Sequence, residues 1–420
     1  MSDSHLPSIT VAQLGARRRY AVPRALHQAN RLHTLYTDLY CTDTLAKFIA
    51  KLPTPFKPDG LDRFRSRIIH DIPKDKITQF PFFGYKYYSR CRDRNRADSN
   101  TDPFLWGGRR FCERVIATLP PPPLTSYTFS SAGLELMQHV KRSGGSCISD
   151  QTILPKPIER KWIDPEYDAF PDWSTEPQSP RRSTDYEHRE SQEWALADRI
   201  ICGAPFVRDA LIQAGVEPSK ITTVHPQIDV QPPAPPSTPA GDETLRVLFA
   251  GTLGLRKGLP YLAQALALCN SKHIACRAVG HAPLTPAAIN DISRYMTVVG
   301  PVSYSQMAFE YAWADVLVLP TLAEGAARAC AEALAHGVPV ITTENAGSVV
   351  RHERDGFLTP VRSPDSIAEK LDLLASNPSL LKELSINAQQ RASAYTWSRY
   401  VNELIEATTM GPNVTPATAT

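Results

Sequence analysis

The sequence predicts an α/β protein made of two Rossmann-like, doubly wound domains that face each other across a cleft. Its 420 residues exceed the roughly 250 to 300 at which a single hydrophobic core usually stops growing. In the second half, short apolar runs alternate with helical patterns, which is typical of a parallel sheet joined by right-handed crossovers. A proline-rich stretch, 231–241, separates the halves because it cannot supply the amides of a strand ladder or a helix interior.

The first domain is predicted to span residues 1–230, as a doubly wound unit with insertions. Within it, segment 41–110 combines proline, aromatic and charged clusters that predict no regular order of elements. The candidate elements are, in chain order, strand 9–14, a helix after Pro23, strands 126–130 and 146–149, helix 187–197 and strand 198–202.

The second domain is predicted to span residues 244–397, after a linker at 231–243. A final helix, 398–407, is expected to return and pack on the first domain, and 408–420 is expected to be disordered because its composition is polar. The candidate elements of the second domain are strand 245–251, helix 259–268, strand 274–280, a strand around 298–299, strand 315–320, a helix ending at 336 and strand 338–343.

Composition excludes several classes of protein. The formal net charge is only +3 and the basic residues are dispersed, whereas nucleic-acid proteins usually carry a strongly basic stripe. The eight cysteines lack the two-residue spacing of zinc or redox motifs, so we expect reduced thiols and no metal site. Residues 1–5 do not begin a signal peptide, and no apolar run approaches the roughly 18 residues of a membrane span. We therefore expect a cytoplasmic protein without a nucleic-acid partner.

The most informative stretch is 315–341, which predicts a strand, a short loop, an alanine-rich helix, a glycine stop and a buried strand. We expect the helix to begin at Gly325, so that the amides of Gly325, Ala326 and Ala327 point above the carboxyl edge of the sheet. Free amides and the helix dipole favour a phosphate at that place.

Two glutamates flank this predicted phosphate site. Glu324 lies just before the expected helix and Glu332 about two turns into it, which separates them by roughly 12 Å of axial rise. Carboxylates accept hydrogen bonds from vicinal hydroxyls, so one could hold a sugar and the other a ribose, with a diphosphate between them. The alternative is a pair of solvated glutamates on an ordinary amphipathic helix.

This arrangement, a glutamate followed by seven residues and a second glutamate, resembles the signature of retaining glycosyltransferases of family 4, which have the GT-B fold. The similarity extends over most of residues 245–407. The other segments that carry it are 248–258, 299–302, 353–358 and 395–398.

The resemblance implies that Glu332 binds the ribose hydroxyls, Glu324 the donor sugar and Lys257 the diphosphate. Chemistry supports the third role, since Arg256 and Lys257 follow the first strand of the second domain and could neutralise a departing diphosphate. A solvated basic loop is the alternative. Many relatives carry an arginine directly after the glycine that corresponds to Gly251, whereas this chain has Thr252, and we take Arg256 as the substitute. Backbone around Gly300 and Pro301 is expected to contact the base.

The first domain is expected to bind the acceptor. Gly15 ends the first strand, so the following basic residues, Arg17 among them, would lie at the mouth of the cleft. Relatives often place a histidine after a central strand of this domain, and here Asp150 and Gln151 follow instead. Asp150 is then the nearest polar candidate, and its alternative role is to cap a helix or turn.

Residues 80–94 interleave aromatic and basic side chains. Such a segment suits the inner face of an anionic membrane, which would make the protein a peripheral one. The alternative is a set of core aromatics beside a solvated, charged helix.

The function that follows from these observations is a retaining, hexosyltransferase-type enzyme that moves a sugar from a nucleotide-sugar donor to a glycan, lipid or small-molecule acceptor. No Asp-x-Asp pair lies near a donor-side strand end, so no metal or other cofactor is expected. A glycosidase is disfavoured because its carboxylates lie about 5 to 10 Å apart. A nucleotide-sugar epimerase or hydrolase of the same architecture and a catalytically silent binding module remain open.

Overall fold

The computed structural model describes residues 8–41, 64, 67–68, 71–92, 102–122, 124–175, 180–228, 244–271 and 273–409. The predicted linker, 231–243, and residues 410–420 of the predicted disordered tail lie outside the described residues. Within the described residues the chain forms two separate parallel sheets, each covered by helices on both faces. This is the α/β architecture that the strand and helix alternation predicts.

The first sheet has seven strands in the order β3-β2-β1-β4-β5-β6-β7, and every neighbouring pair is parallel. The order reverses between β1 and β4, so the chain leaves β1 in one direction and later returns to its other side. Its strands are β1 Ile9–Gln13, β2 Leu32–Thr37, β3 Ile77–Gln79, β4 Thr125–Phe129, β5 Ser146–Gln151, β6 Arg199–Cys202 and β7 Ile221–Thr223.

The second sheet has six parallel strands in the order β10-β9-β8-β11-β12-β13, with its reversal between β8 and β11. Both strands at the reversal are buried along their whole length, as expected for apolar strands covered on two faces. Its strands are β8 Leu245–Ala250, β9 Ile274–Val279, β10 Thr297–Gly300, β11 Val316–Leu319, β12 Val340–Thr342 and β13 Gly356–Leu358.

Most helices lie in the connections between successive strands, and the last three follow β13. In the first half they are α1 Ala21–Gln28, α2 Pro81–Arg92, α3 Pro103–Ile116, α4 Leu134–Arg142, α5 Lys156–Ala169, α6 Pro180–Leu196 and α7 Pro205–Gln213. In the second half they are α8 Leu259–Leu268, α9 Pro286–Ile292, α10 Tyr304–Trp313, α11 Arg328–Ala335, α12 Pro364–Ser376, α13 Pro378–Ser393 and α14 Trp397–Thr409. None of the described helices combines the length and the apolar character that crossing a membrane requires.

The segment that predicted no regular order, 41–110, contains one described strand and parts or all of two described α-helices. These are β3 at the edge of the first sheet, α2 directly after it, and the first part of α3. Phe83 of α2 stacks on Phe111 of α3 with ring centroids 6.2 Å apart. Phe83 therefore packs α2 and α3 together, as the core-aromatic alternative expects, whereas Phe82 and Tyr85 of the same helix are exposed.

The last helix, α14, packs on the first half of the chain. Tyr400 and Leu404 are buried in the core that β1 and α1 form. At its end, Arg31 donates from Nη1 to the Thr408 hydroxyl at 2.7 Å and to the Thr409 hydroxyl at 2.9 Å. These bonds extend the helix to Thr409, two residues beyond the predicted end at 407 and into the predicted tail.

Helix α5 links the two halves at a second place. Its Glu166 is buried and accepts hydrogen bonds from Tyr261 Oη at 2.7 Å and Arg362 Nε at 2.6 Å, both in the second half. The Phe170 ring meets Tyr261 edge to face, with centroids 5.8 Å apart. Beyond the helix, the Thr285 amide donates to the Trp173 carbonyl at 3.0 Å. We call the segment 156–175 the strap.

Candidate functional site

The loop after β8, 251–258, lies at the reversal of the second sheet, where ligands of doubly wound sheets usually bind. Within it, Leu255–Lys257 forms a single turn of 3₁₀ helix. Gly258 follows with a φ of 71°, and a Cβ atom there would lie 1.9 Å from the Pro320 carbonyl oxygen. Only glycine fits this contact, which presses the basic loop against the end of β11.

Arg256 and Lys257 converge on one carboxylate. Lys257 Nζ lies 2.7 Å from Glu324 Oε1, and Arg256 Nη1 contacts the same oxygen. Arg256 Nη1 also donates to the Ala323 carbonyl at 2.8 Å. Burial raises the pKa of the Glu324 carboxyl, but Lys257 and Arg256 outweigh it and hold that pKa below its usual value. The structure therefore joins Arg256, Lys257 and Glu324, which the sequence assigned to the diphosphate and the donor sugar, in a cluster with one net positive charge.

The segment from Glu324 to Ala327 is not helical, which corrects the predicted helix start at Gly325. Helix α11 begins at Arg328. The reason is tertiary: the Glu324 amide donates to the Asn345 carbonyl at 3.1 Å and the Ala327 amide to the Ala346 carbonyl at 2.9 Å.

These two bonds change which amides can receive a ligand. The Ala327 amide, predicted to face a phosphate, is already hydrogen-bonded. The amides of Gly325 and Ala326, and of Arg328 and Ala329 at the start of α11, have no acceptor among the described residues.

Glu332 lies in the second turn of α11. Its side chain contacts residues that the sequence does not indicate. Its Oε2 accepts from Tyr311 Oη at 3.0 Å, and its Oε1 pairs with Arg328 Nη2 at 2.7 Å. The His336 ring stacks on Tyr311 with centroids 5.1 Å apart. Burial, followed by the negative charge of Glu332, raises the pKa of Tyr311 well above its usual value. The predicted 12 Å spacing assumed a continuous helix from Gly325 and does not apply.

The remaining donor-side candidates lie at or just after the ends of β8 and β10, the two strands that flank β9. Gly251 has a φ of 140°, and its amide donates to the Val279 carbonyl at 2.9 Å. Thr252 beside it is exposed. Gly300 ends β10 with a φ of 84° and accepts from the Gly280 amide at 2.9 Å, and Pro301 after it is exposed. All four therefore lie along the carboxyl edge of the second sheet.

On the first half, Gly15 turns the chain after β1. Its φ is 81°, and its amide donates to Asp38 Oδ1 at 2.9 Å. Arg17 reaches across to the loop after β5 and donates from Nη1 to Thr152 Oγ1 at 3.3 Å. The next residues, Arg18 to Tyr20, all have positive φ values, a conformation that costs non-glycine residues about 1 to 2 kcal/mol each.

Asp150 has a role that differs from both interpretations of the sequence. It is fully buried, accepts from Arg18 Nη2 at 2.9 Å and from Tyr127 Oη at 2.7 Å, and caps no helix or turn. Burial raises the pKa of Asp150 although the Arg18 charge opposes this shift. The carboxylate therefore holds the left-handed loop after β1 against the centre of the sheet, and the acceptor-side prediction for Asp150 is not supported by its burial.

The two halves touch directly beside the predicted site. A Cβ atom on Gly325 would lie 2.0 Å from the Thr152 carbonyl oxygen, and one on Gly203 would lie 3.3 Å from the Ala326 methyl group. Since Arg17 contacts Thr152, the basic loop of the first half and the Gly325 loop of the second meet through one residue. The structure thus brings acceptor-side and donor-side candidates to one cleft.

Sequence reasoning missed Thr152, Tyr311 and Asn345. Asn345 donates from Nδ2 to the Leu322 carbonyl at 2.8 Å and accepts the Glu324 amide, so it shapes the loop that carries Glu324. Each of these residues lies in a different crossover from the motif it supports, and no spacing rule points to it. No group of three metal-binding side chains occurs within the described part of the chain.

Comparison with known proteins places these features in a family context. Residues 244–377 match the family described as glycosyl transferases group 1. The D-inositol 3-phosphate glycosyltransferase of Streptomyces bingchenggensis is 27% identical over 240 residues, which cover 50% of this chain and 52% of that protein. An uncharacterized glycosyltransferase of Methanocaldococcus jannaschii is 26% identical over 173 residues, covering 39% and 44% of the two chains. The chain thus spans about half the length of the curated relatives it matches.

Solved structures match over nearly the whole chain. Anabaena HepE in complex with UDP superposes with a TM-score of 0.60 at 14% identity, covering 96% of this chain and 99% of that one. Sucrose-phosphate synthase from Thermosynechococcus elongatus gives a TM-score of 0.66 at 17% identity, covering 95% and 98%. At these identities the likeness concerns the fold, which is the two-domain GT-B architecture.

Proposed function

From a GT-B fold whose second half matches glycosyl transferases group 1, we propose that this protein is a retaining, metal-independent glycosyltransferase that uses a nucleotide-sugar donor. One observation carries the proposal most directly. Arg256 and Lys257 meet Glu324 at the reversal of the second sheet, where the resemblance expects the diphosphate and the donor sugar.

The cluster suits a ligand that is anionic at one end and rich in hydroxyl groups at the other. A diphosphate competes with Glu324 for both cations, and the free amides of Gly325 and Ala326 add neutral donors beside them. Glu324, released from one or both cations, then accepts hydrogen bonds from sugar hydroxyls. Glu332, oriented by Tyr311, is the corresponding partner for a ribose.

The stereochemical part of the proposal rests on Asp150, the candidate carboxylate of the first half. Its side chain is buried and both of its oxygens are hydrogen-bonded, so among the described residues Asp150 is not available as a nucleophile. We infer that the acceptor oxygen attacks from the side that the diphosphate leaves. The bond from the anomeric carbon to the phosphate oxygen breaks, the new glycosidic bond forms, and that phosphate oxygen takes the acceptor proton while Arg256 and Lys257 stabilise its charge.

Metal independence is proposed because two cations and free amides lie together at the site and can neutralise a diphosphate. The test is the initial rate with EDTA and with added manganese. We expect equal rates in both conditions. A rate that falls on chelation and returns with manganese would contradict the donor site proposed here.

The acceptor is proposed to bind beside Arg17 and Thr152, where the two halves meet. A glycan, a lipid-linked sugar and a small polyol are the classes to compare. Inositol 3-phosphate belongs in this comparison because several relatives carry it in their names.

The decisive experiment incubates the protein with UDP-, GDP- and ADP-sugars, with and without candidate acceptors. UDP-sugars come first, since the structurally similar HepE binds UDP. We expect a nucleoside diphosphate and a glycoside whose anomeric configuration, read by NMR, equals that of the donor. An epimerised donor would instead indicate the epimerase alternative, free sugar alone a hydrolase, and binding without any product a silent module.

A further inference from the structure

A basic and aromatic surface covers α2 and α3 on the first half, away from the cluster around Glu324. We call it the α2–α3 surface. It consists of Phe82, Phe83, Tyr85, Lys86 and Arg90 from α2 with Trp106, Arg110 and Arg114 from α3. Four members of the surface are basic, namely Lys86, Arg90, Arg110 and Arg114, and the two helices contain a single acidic residue, Glu113 of α3. The surface is therefore strongly positive, although the whole chain is nearly neutral.

Two aromatic rings project from this surface into solvent. Phe82 is 93% exposed and Tyr85 is 74% exposed, three residues apart on α2. Among the described large hydrophobic residues, only Phe309 on α10 approaches them, at 73%. Rings exposed to this extent gain free energy when they enter an apolar environment, so this pair indicates a contact that the isolated chain leaves unmade.

Beside the two rings lies a pocket of about 290 Å³. Its apolar floor consists of Phe83 and Trp106, and the Arg90 guanidinium lies 4.1 Å from the centre of the Trp106 ring. The Arg114 guanidinium lies 5.0 Å from the centre of the Phe83 ring. The aromatic faces hold these two cations in place by cation–π contacts.

The cations of the pocket are poorly neutralised. Across the described residues, no carboxylate pairs with Lys86, Arg90 or Arg114, whereas Arg110 pairs with Glu113 at 2.7 Å. At about 30 Å³ for a liquid water, the pocket volume equals that of roughly ten water molecules. This is at the small end for ligand sites, so it suits a phosphate group with a short linker and not a nucleotide sugar.

We propose that the α2–α3 surface docks the protein on an anionic lipid bilayer, with Phe82 and Tyr85 in the interfacial layer and a phosphate headgroup in the pocket. Exposed rings next to cations bind favourably to an anionic bilayer, because aromatic groups favour the headgroup region and basic groups favour anionic lipid. A soluble polyanion would use the cations but would give the two exposed rings no apolar environment.

The position of the surface ties it to the cleft. Helix α2 begins directly after β3, and a Cβ atom on Gly84 would lie 2.5 Å from the Leu39 side chain and 3.1 Å from the Asp38 carbonyl oxygen. Asp38 in turn accepts the amide of Gly15 at the acceptor side. Helix α2 itself and residues 38–39 therefore lie between a bilayer bound at α2 and the loop after β1.

The test is co-sedimentation of the full chain with two kinds of vesicle: phosphatidylcholine alone, and an equal mixture of phosphatidylcholine and phosphatidylglycerol. We expect binding to the mixed vesicles, weak binding to phosphatidylcholine, and a decrease with added salt. Equal binding to both vesicles, or binding to heparin without binding to vesicles, would overturn the proposal.

Two double variants separate the apolar and the charged contributions. Phe82→Ser with Tyr85→Ser removes the exposed rings, and Arg90→Gln with Arg114→Gln removes two pocket charges. Each neutralised charge is expected to weaken binding to mixed vesicles about fivefold, so the second pair should lose about 25-fold. The matched controls are Phe309→Ser, whose ring is about as exposed as that of Tyr85, and Lys382→Gln at an exposed lysine. Both control variants should bind vesicles as the parent chain does.

Retained folding is checked by the far-UV circular dichroism and melting temperature of each variant. The double variant Phe82→Ser with Tyr85→Ser changes only exposed side chains, so it should fold like the parent chain. It therefore still tests the proposal if the double arginine variant is destabilised. Wild-type vesicle binding by both double variants would overturn the proposal. Release of nucleoside diphosphate from the donor is measured separately, so failure of vesicle binding is distinguishable from failure of the proposed transferase activity.

Discussion

Lys257 is the side chain through which the site can be tested most directly. It is largely buried and its Nζ lies 2.7 Å from Glu324 Oε1, which positions the ammonium group at the proposed diphosphate site. Replacing Lys257 with alanine should lower kcat by about a hundredfold or more, because a positioned cation stabilises the leaving group mainly in the transition state.

The measurement is steady-state kinetics with the donor identified in the screen, with Lys382→Ala as an exposed control. Circular dichroism should be unchanged in both variants. Wild-type kcat in Lys257→Ala would remove Lys257 from the proposed mechanism.

Replacing Glu332 should weaken donor binding more than it lowers turnover. Its carboxylate is oriented by Tyr311 and Arg328, and a charged hydrogen bond contributes roughly 1.5 to 3 kcal/mol. Glu332→Ala should therefore raise the dissociation constant of the donor or its nucleoside diphosphate by about ten- to a hundredfold, with a smaller change in kcat.

Calorimetric titration measures this change, and Tyr311→Phe is the matched variant. It keeps the carboxylate but removes the 3.0 Å hydrogen bond that orients it, so we expect a smaller loss of affinity. An unchanged dissociation constant in Glu332→Ala would contradict the ribose role.

At the level of helices and strands, Glu190 joins β5, α5 and α6. Its oxygens accept from Gln151 Nε2 at 3.0 Å and from the Lys156 amide at 2.8 Å. Burial raises the pKa of Glu190 from 4.5 to about 7. Between these values the folded chain keeps a proton that the unfolded chain has released. The contribution of Glu190 to stability therefore decreases as pH rises from about 4.5 to 7.

We expect the melting temperature of Glu190→Gln to depend less steeply on pH in this window than that of the parent chain. The comparison isolates Glu190, since other titrating groups occur in both proteins. Parallel pH profiles would show that the Glu190 carboxyl does not titrate in this range.

For the two halves taken together, the strap is one of the connections that join them. Glu166 is buried on α5, while Tyr261 and Arg362, its two hydrogen-bond donors, belong to the second half. Glu166→Ala leaves Arg362 without its carboxylate, and breaking a buried pair costs roughly 3 to 5 kcal/mol. The Arg362 side chain is one third exposed, so we expect Glu166→Ala to lower the free energy of unfolding by an amount at or below the lower end of that range.

Calorimetry should show a lower melting temperature for Glu166→Ala, or two transitions where the parent chain shows one. Tyr261→Phe removes a single hydrogen bond to Glu166 and should cost only about 1 kcal/mol. If both variants melt like the parent chain, the strap does not couple the two halves.

Much of the architecture could be predicted from local sequence. Burial on two faces requires continuous apolar strands, so the apolar runs of β8 and β11 predict buried strands. Glu324 with Glu332 and the pair Arg256 and Lys257 could be singled out because each set lies in a short segment at a strand end, and their roles toward a donor stay predictions.

Tertiary contacts decided the rest. Helix α11 begins at Arg328 because the preceding residues bond to Asn345 and Ala346, which belong to another crossover. Asp150 became a buried partner of Arg18, and Glu166 a link between the halves, through contacts separated by over a hundred residues. The periodicity of apolar residues indicates which face of a helix or strand is buried. Hydrogen bonds between distant loops depend on how the crossovers pack against one another, and local sequence patterns do not encode this packing.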